Sequence, residues 1–188
     1  MTTIAAVQGR DWAVLAYDSQ VTEDNGRSYV LASDNGKVCE NGPYLMGAAG
    51  DLRAVNILSH NFHPPDPGEH SGMDLDKFMA TKFVPAMKKC FDGNFYGKDN
   101  EHGSLIMVVV NAVIYEVGGA YDIVRDETGL YALGTGSPYA LGAMYQFDAD
   151  NSRTMKNART MSKSGVEIAC RLDPASSGPV HMKIQRWS

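Results

Sequence analysis

Residues 2–22 read TTIAAVQGRDWAVLAYDSQVT, two β-prone runs separated by Gln8-Gly9-Arg10-Asp11. Thr3 to Val7 and Trp12 to Tyr17 are dominated by β-branched, aromatic and small apolar residues, and the short glycine-bearing break between them predicts an antiparallel hairpin. The first strand opens at Thr2. Trimming of Met1, which aminopeptidases carry out before a small second residue such as Thr, would leave Thr2 with a side-chain hydroxyl and a free α-amino group on one residue. Such a residue holds both a nucleophile and a base, because an α-amino group titrating near ~8 is partly neutral at physiological pH. Threonine after the initiator Met is common in cytosolic proteins, so the position alone does not make a catalyst.

Outward from this hairpin the periodicity changes three times. Further short β-prone runs at Ser28 to Ala32, Lys37 to Cys39 and Tyr44 to Met46 are broken by Gly and Asn and extend the antiparallel pattern. Leu52, Val55, Ile57 and Leu58 then fall at helical spacing, as do Leu75, Phe78, Met79, Phe83 and Met87; Pro85 is expected to kink or interrupt the second of these helices. The link from His63 to Gly72, with three prolines and two glycines, reads as an exposed loop. Strands are expected again at 104–110, 113–117 and 121–125, helices at 139–147 and about 156–171, and a final strand near 180–186. Ser104 to Val110 lacks polar alternation, which suits a strand covered on both faces. Strands, two helices, strands, two helices and a strand predict an α+β chain with two sheets packed face to face and helices outside.

The 188 residues are most economically a single domain spanning 1–188, with 44% hydrophobic and 21% charged residues. A net charge of -5 offers no basic footprint for nucleic acid. The longest apolar run, Leu105 to Val110, is far below the ~20 residues that a bilayer-spanning helix needs, and no secretory leader is seen. Soluble, cytoplasmic residence is therefore expected. Cys39, Cys90 and Cys170 are odd in number and widely spaced, indicating neither a disulfide framework nor a zinc site.

Four segments taken together, TTIAAVQGRDWAVLAYDSQVT, MGAAGDLRAV, ALGTGSPYALGAM and CRLDPASSGP, resemble the proteasome β-subunit and HslV-type threonine peptidases, in the expected order from Thr2 to about Val180. The resemblance implies a four-layer αββα sandwich of the N-terminal nucleophile hydrolase type, in agreement with the element order, and an activity that needs no cofactor. Gln20 and the Pro138-Tyr139 pair look like the HslV branch, whereas Gly50-Asp51 and the Asp173 to Ser177 segment look like the proteasome β branch.

The resemblance makes Thr2 the nucleophile and Asp18 the acid that orients a lysine, Lys37. A buried cation beside the Thr2 amine would lower the amine's pKa by like-charge repulsion and favour its proton-accepting form. The stretch from Thr22 to Lys37 is about three residues longer than the family pattern, which places an insertion around Asp24 to Arg27. Gly47 matches the donor of the oxyanion-stabilising backbone N–H; read by itself, the Gly-Ala-Ala-Gly run lets a strand and a helix approach closely. Thr135 stands where the family's turn usually has serine, keeping the hydroxyl but adding a rotamer-restricting methyl. Asp173 and Ser176 match the remaining polar residues near the nucleophile, with Pro174 replacing a small polar residue. Thr22, Leu45 and Ala49 are implied to contact substrate, with Leu45 at the base and Ala49 on the wall of an uncharged pocket, predicting cleavage after apolar residues. Arg53, one helical turn beyond Ala49, is the residue placed to alter that preference.

A competing cluster, His60, His63 and His70 with Asp66 and Glu69, matches no tetrahedral metal-site spacing, and no metal is expected there. The resemblance implies a self-compartmentalising assembly of stacked hexameric or heptameric rings that takes unfolded polypeptides or peptides, with an ATPase unfoldase ring as a further partner. A catalytically silent subunit of the same fold and a stand-alone small-molecule amidase are the alternatives.

Overall fold

The opening hairpin forms as read, with β1 (Ile4–Gln8) antiparallel to β2 (Trp12–Tyr17) and Ile4 opposite Tyr17. The computed structural model describes residues 2–23, 25–32, 36–97 and 101–187. A ribbon of β3 (Gln20–Thr22) and β4 (Ser28–Val30) follows, then β5 (Val38–Asn41) and β6 (Tyr44–Ala49). After the first helices come β7 (Leu105–Val110), β8 (Val113–Val117), β9 (Ile123–Val124) and β10 (Leu130–Leu133), and β11 (His181–Arg186) closes the chain. One sheet has the order β10-β1-β2-β11 and the other β5-β6-β7-β8-β9.

Strand alternation builds the layers. Ile4, Ala6, Ala13, Leu15 and Tyr17 of the first sheet face Leu45, Ala49, Met107 and Val109 of the second across one inter-sheet core. The intervening residues Ala5, Val7, Val14 and Ala16 face outward onto α4 (Ser137–Asp150) and α5 (Met155–Leu172), where they meet Ala140, Met144, Met161, Val166 and Ala169. On the far side Met46, Ala48, Ile106, Val108 and Val110 pack under α1 (Leu52–His60), α2 (Gly72–Phe78) and α3 (Val84–Gly93). Each strand position thus serves one of two cores because successive side chains point to opposite faces, and the result is the four-layer αββα sandwich.

Pro85 does not break its helix. A π turn over Met79–Phe83 joins α2 to α3, and the Val84 N–H reaches back to the Met79 carbonyl, five residues earlier. The wider turn accommodates a residue that has no N–H and would otherwise press its ring on the preceding turn. The 63–72 link is only partly exposed. Phe62 and Pro67 are buried, Tyr44 Oη donates to the Pro65 carbonyl at 2.8 Å, and Asn111 Nδ2 donates to the Gly68 and His70 carbonyls. The strand expected at 121–125 shrinks to two residues because Tyr121 takes φ 63° in a turn closed by its N–H on Gly118 O.

Candidate active site

Thr2 lies just before β1, 4% exposed, on the shared wall of two cavities of about 530 and 460 Å³. The first cavity is walled by the β3–β4 ribbon and the end of β6, through Val21, Thr22, Glu23, Lys37, Ala48 and Asp51. The second is walled by Ala49, Leu105, Ala132, Leu133, Gly134 and Thr135. Gly50 borders both. Its φ of 129° suits glycine, and a Cβ there would come within 2.5 Å of the Gly103 carbonyl and 2.8 Å of Ser104 Oγ.

Asp18 organises the polar side of the site. Its Oδ1 accepts from Lys37 Nζ at 2.6 Å and from the Thr3 N–H at 2.9 Å, while Oδ2 accepts from the Gln20 and Ser177 N–H groups at 3.1 and 3.2 Å. Asp18 and Lys37 are 0% and 1% exposed. Burial pulls the Lys37 ammonium below its ordinary value, and Asp18 opposes that by charge and hydrogen bond. Cys170 is coupled to this group, yet burial pushes its thiol up to about 11, so at neutral pH it is protonated and no rival nucleophile.

A second polar set lies on the other side of the β1 start. Asp173 Oδ2 accepts from Thr135 Oγ1 at 2.7 Å and from Ser176 Oγ at 2.8 Å, and Oδ1 accepts from the Ala175 N–H at 3.0 Å. Ser176 Oγ lies 2.7 Å from Thr3 Oγ1. Burial works against the Asp173 carboxylate, but these donors prevail and hold it below its ordinary value. The Gly-Thr-Gly turn is dictated by proximity to the chain start. Gly134 takes φ 92° and a Cβ on it would overlap the Thr2 carbonyl; a Cβ on Gly136 would overlap Thr3 Oγ1. Gln20 Nε2 ties the ribbon to the 173–177 turn by donating to the Pro174 carbonyl at 3.1 Å.

Thr2, Asp18, Lys37, Thr135, Asp173 and Ser176 are thereby gathered around one chain start, and Thr22 and Ala49 line the two cavities. Gly47 sits in β6 between Val38 and Met107, where a Cβ would press on Ile4 Cδ1 at 2.9 Å and Val38 at 3.0 Å, so close sheet packing already demands glycine. Leu45 departs from expectation. It is 4% exposed in the inter-sheet core, because its strand position points between the sheets rather than to either cavity. Arg53 is also turned away, its guanidinium donating to the Asn94 carbonyl at 2.6 Å. Asp24, within the expected insertion, falls outside the described residues.

The histidine cluster does not converge. His63 Nδ1 lies 3.1 Å from the Asn61 carbonyl, His70 packs on Phe78 with ring centres 5.5 Å apart, and Asp66 accepts from the Gly68 N–H. Among the described residues no group of three or more His, Cys, Asp or Glu side chains is placed to hold a metal ion.

Sequence and structure comparisons bear on the fold. No family model matches the chain. The ATP-dependent protease subunit HslV of Pediococcus pentosaceus is 24% identical over 174 residues, spanning 92% of this chain and 88% of that protein. Thiobacillus denitrificans BPH, solved in complex with epoxomicin, superposes with a TM-score of 0.79 at 21% identity over 100% of both chains. Eukaryotic HslV from Trypanosoma brucei superposes with a TM-score of 0.66 at 19% identity, over 98% of this chain and 99% of that one.

The chain shares the fold of the HslV-type peptidases and is similar in sequence to one of them.

Several residues of the candidate site carry little signal in the sequence. Glu23 and Leu105 border the cavities from segments that read only as a hairpin loop and the start of a buried strand. Thr3 and the Gly134 and Gly136 pair fall inside the recognised segments, but what they touch depends on the pairing of β10 with β1, and LYAL between two glycines is too short to announce a strand. No helix is long and apolar enough to cross a membrane among the described residues.

Proposed function

We propose that this chain is a peptidase subunit of the threonine type, acting as an endopeptidase within a ring of its own copies. The observation that carries the reading is the position of Thr2 between two cavities, with the buried Lys37–Asp18 pair at one and Thr135, held by Asp173, at the other. In this reading, loss of Met1 frees the Thr2 amine. The amine takes the proton from Thr2 Oγ1 as that oxygen attacks the substrate carbonyl, and the Lys37 charge disfavours the amine's own protonation. The Gly47 N–H stabilises the oxyanion. The C–N bond breaks as the proton passes to the leaving amine, giving an ester on Thr2; water, activated by the same amine, then adds to the ester and releases the acid. Thr135, Asp173 and Ser176 hold the chain start in place.

The Pediococcus relative is named as a subunit of an ATP-dependent protease, which supports self-assembly and makes an ATPase ring the candidate partner here. Intact mass, native mass and hydrolysis of short fluorogenic peptides test the proposal together. Expected are loss of Met1, a particle many times the 20.4 kDa chain, and turnover abolished by Thr2→Ala with the particle intact. Full activity in molecules that all retain Met1 would overturn the mechanism. A ring without turnover would mark the silent subunit, and an active monomer the small-molecule amidase.

A further inference from the structure

The two cavities that meet at Thr2 differ in chemistry. On the ribbon side Glu23 and Asp51 are both exposed at the wall, and among the described residues no ion pair engages either. Glu23 Oε2 accepts from Asn25 Nδ2 at 3.0 Å. Asp51 Oδ1 caps α1 by accepting from the Arg53 N–H at 2.8 Å. The cations nearby are committed elsewhere. Lys37 is 1% exposed and bound to Asp18, the Arg53 guanidinium reaches Asn94, and the Arg27 guanidinium stacks on Tyr29 at 4.6 Å. The opposite cavity is walled by Ala49, Ala132, Leu133 and Leu105, and Leu105 is 41% exposed although it is a large apolar side chain. Gly50, which has no side chain, borders both cavities beside Thr2.

We infer that the ribbon-side cavity takes a cationic side chain, lysine or arginine, from one residue of the cleaved bond, with Glu23 and Asp51 as the specificity-determining carboxylates, while the opposite cavity takes an apolar side chain from the other residue. This rests on the peptidase reading above and replaces the expectation of an uncharged pocket built on Leu45. Two acids at a cavity wall attract a cation and repel an acid, and neither has to be stripped from an existing ion pair when substrate binds. Volumes of about 530 and 460 Å³ suit one large side chain each.

Internally quenched peptides that vary only in the two residues flanking one bond, drawn from Lys, Leu and Glu, test the inference, with cut sites read by mass spectrometry. The expected kcat/KM at a Lys/Leu junction exceeds that at a Glu/Leu junction by roughly tenfold, the sum of two partly screened pairs, and the ratio shrinks at high salt. Glu23→Gln with Asp51→Asn removes both charges while keeping shape and an N-cap acceptor, and should bring the Lys:Glu ratio to within about twofold. Glu23→Gln alone, on the hairpin loop, should give a partial fall and serves if the double variant does not assemble. A wild-type preference for Glu or for Leu on both sides would overturn the inference while leaving the peptidase reading intact, as would a Lys preference that survives both substitutions. Hydrolysis at no junction, or equal hydrolysis by Thr2→Ala, would instead overturn the peptidase reading and this inference with it.

Discussion

Lys37 Nζ donates to Asp18 Oδ1 across 2.6 Å, with neither side chain more than 1% exposed. The two partners are not equivalent. Without Lys37, Asp18 keeps three backbone N–H donors, from Thr3, Gln20 and Ser177, whereas without the Asp18 charge the buried ammonium loses the strongest of the charges that oppose its desolvation. Asp18→Asn should therefore cost about 3–5 kcal/mol, the usual loss on breaking a buried pair, and Lys37→Met about 1–3 kcal/mol. Urea unfolding measures both. Equal losses would show that the backbone donors do not sustain Asp18. Lys37→Met should also move the rising limb of the pH–rate profile to higher pH, because the Thr2 amine becomes more basic without a neighbouring cation.

Thr135 and Ser176 share one oxygen of Asp173, and their donors outweigh the burial that opposes its ionisation. Thr135→Val removes one donor to the charged form, so the Asp173 pKa must rise and any acid limb that reports its ionisation must move to higher pH. Activity should fall more steeply on the acid side than in the wild type, in line with the loss of a hydrogen bond to a charged group. Thr135→Ser should restore the profile, since the hydroxyl is what the carboxylate uses. A profile unchanged by Val would separate Asp173 from catalysis.

Glycine at 134 is set by the chain start rather than by the turn alone. Its φ of 92° and the overlap of a Cβ with the Thr2 carbonyl mean that Gly134→Ala must displace Thr2 or distort the turn, costing about 1–3 kcal/mol in strain. On the proposed mechanism, a shift of Thr2 by about 1 Å is enough to lower kcat/KM roughly a hundredfold. Gly142, inside α4 with open space around a Cβ, is the contrast: Gly142→Ala should stabilise by about 0.5–1 kcal/mol with activity retained. Parallel melting and kinetic assays of the two variants check the pair.

The fold was legible where burial imposes a period. The run Ile106 to Val110 serves two cores by strict alternation, and α5 shows its apolar stripe at Met161, Val166 and Ala169. The grouping of the candidate site residues was open to the sequence only through resemblance, since nothing in isolated Asp18 or Lys37 announces a buried pair; the structure adds the distances. Long-range pairing escaped the reading. β10 is four residues long and becomes a strand because β1 offers it a ladder, and Leu45 was assigned to a pocket because the facing of β6 toward the inter-sheet core depends on register with β5 and β7. Glu23 and Leu105 come to the two cavities at Thr2 only through tertiary packing, which no local spacing encodes.

His102 gives stability a pH dependence of its own. The ring is 6% exposed and packed among Phe91, Tyr96 and Tyr121, with centroid distances of 5.3, 6.3 and 4.8 Å. No hydrogen bond of ordinary geometry reaches either ring nitrogen among the described residues. Burial lowers its pKa from the ordinary 6.5, and the nearby Gly118 and Ser104 backbone and the Asp122 charge only partly oppose this. The folded protein thus keeps His102 neutral at pH values where the unfolded chain has already taken up a proton. Stability is full above about pH 6.5, falls as pH drops through the unfolded value, and levels off below the folded one, with a slope of at most about 1.4 kcal/mol per pH unit for one proton. Urea midpoints between pH 8 and pH 5 should show this decline, and His102→Phe, which keeps an aromatic ring in the cluster and has no proton to gain, should flatten it. An unchanged slope in that variant would assign the decline to other groups.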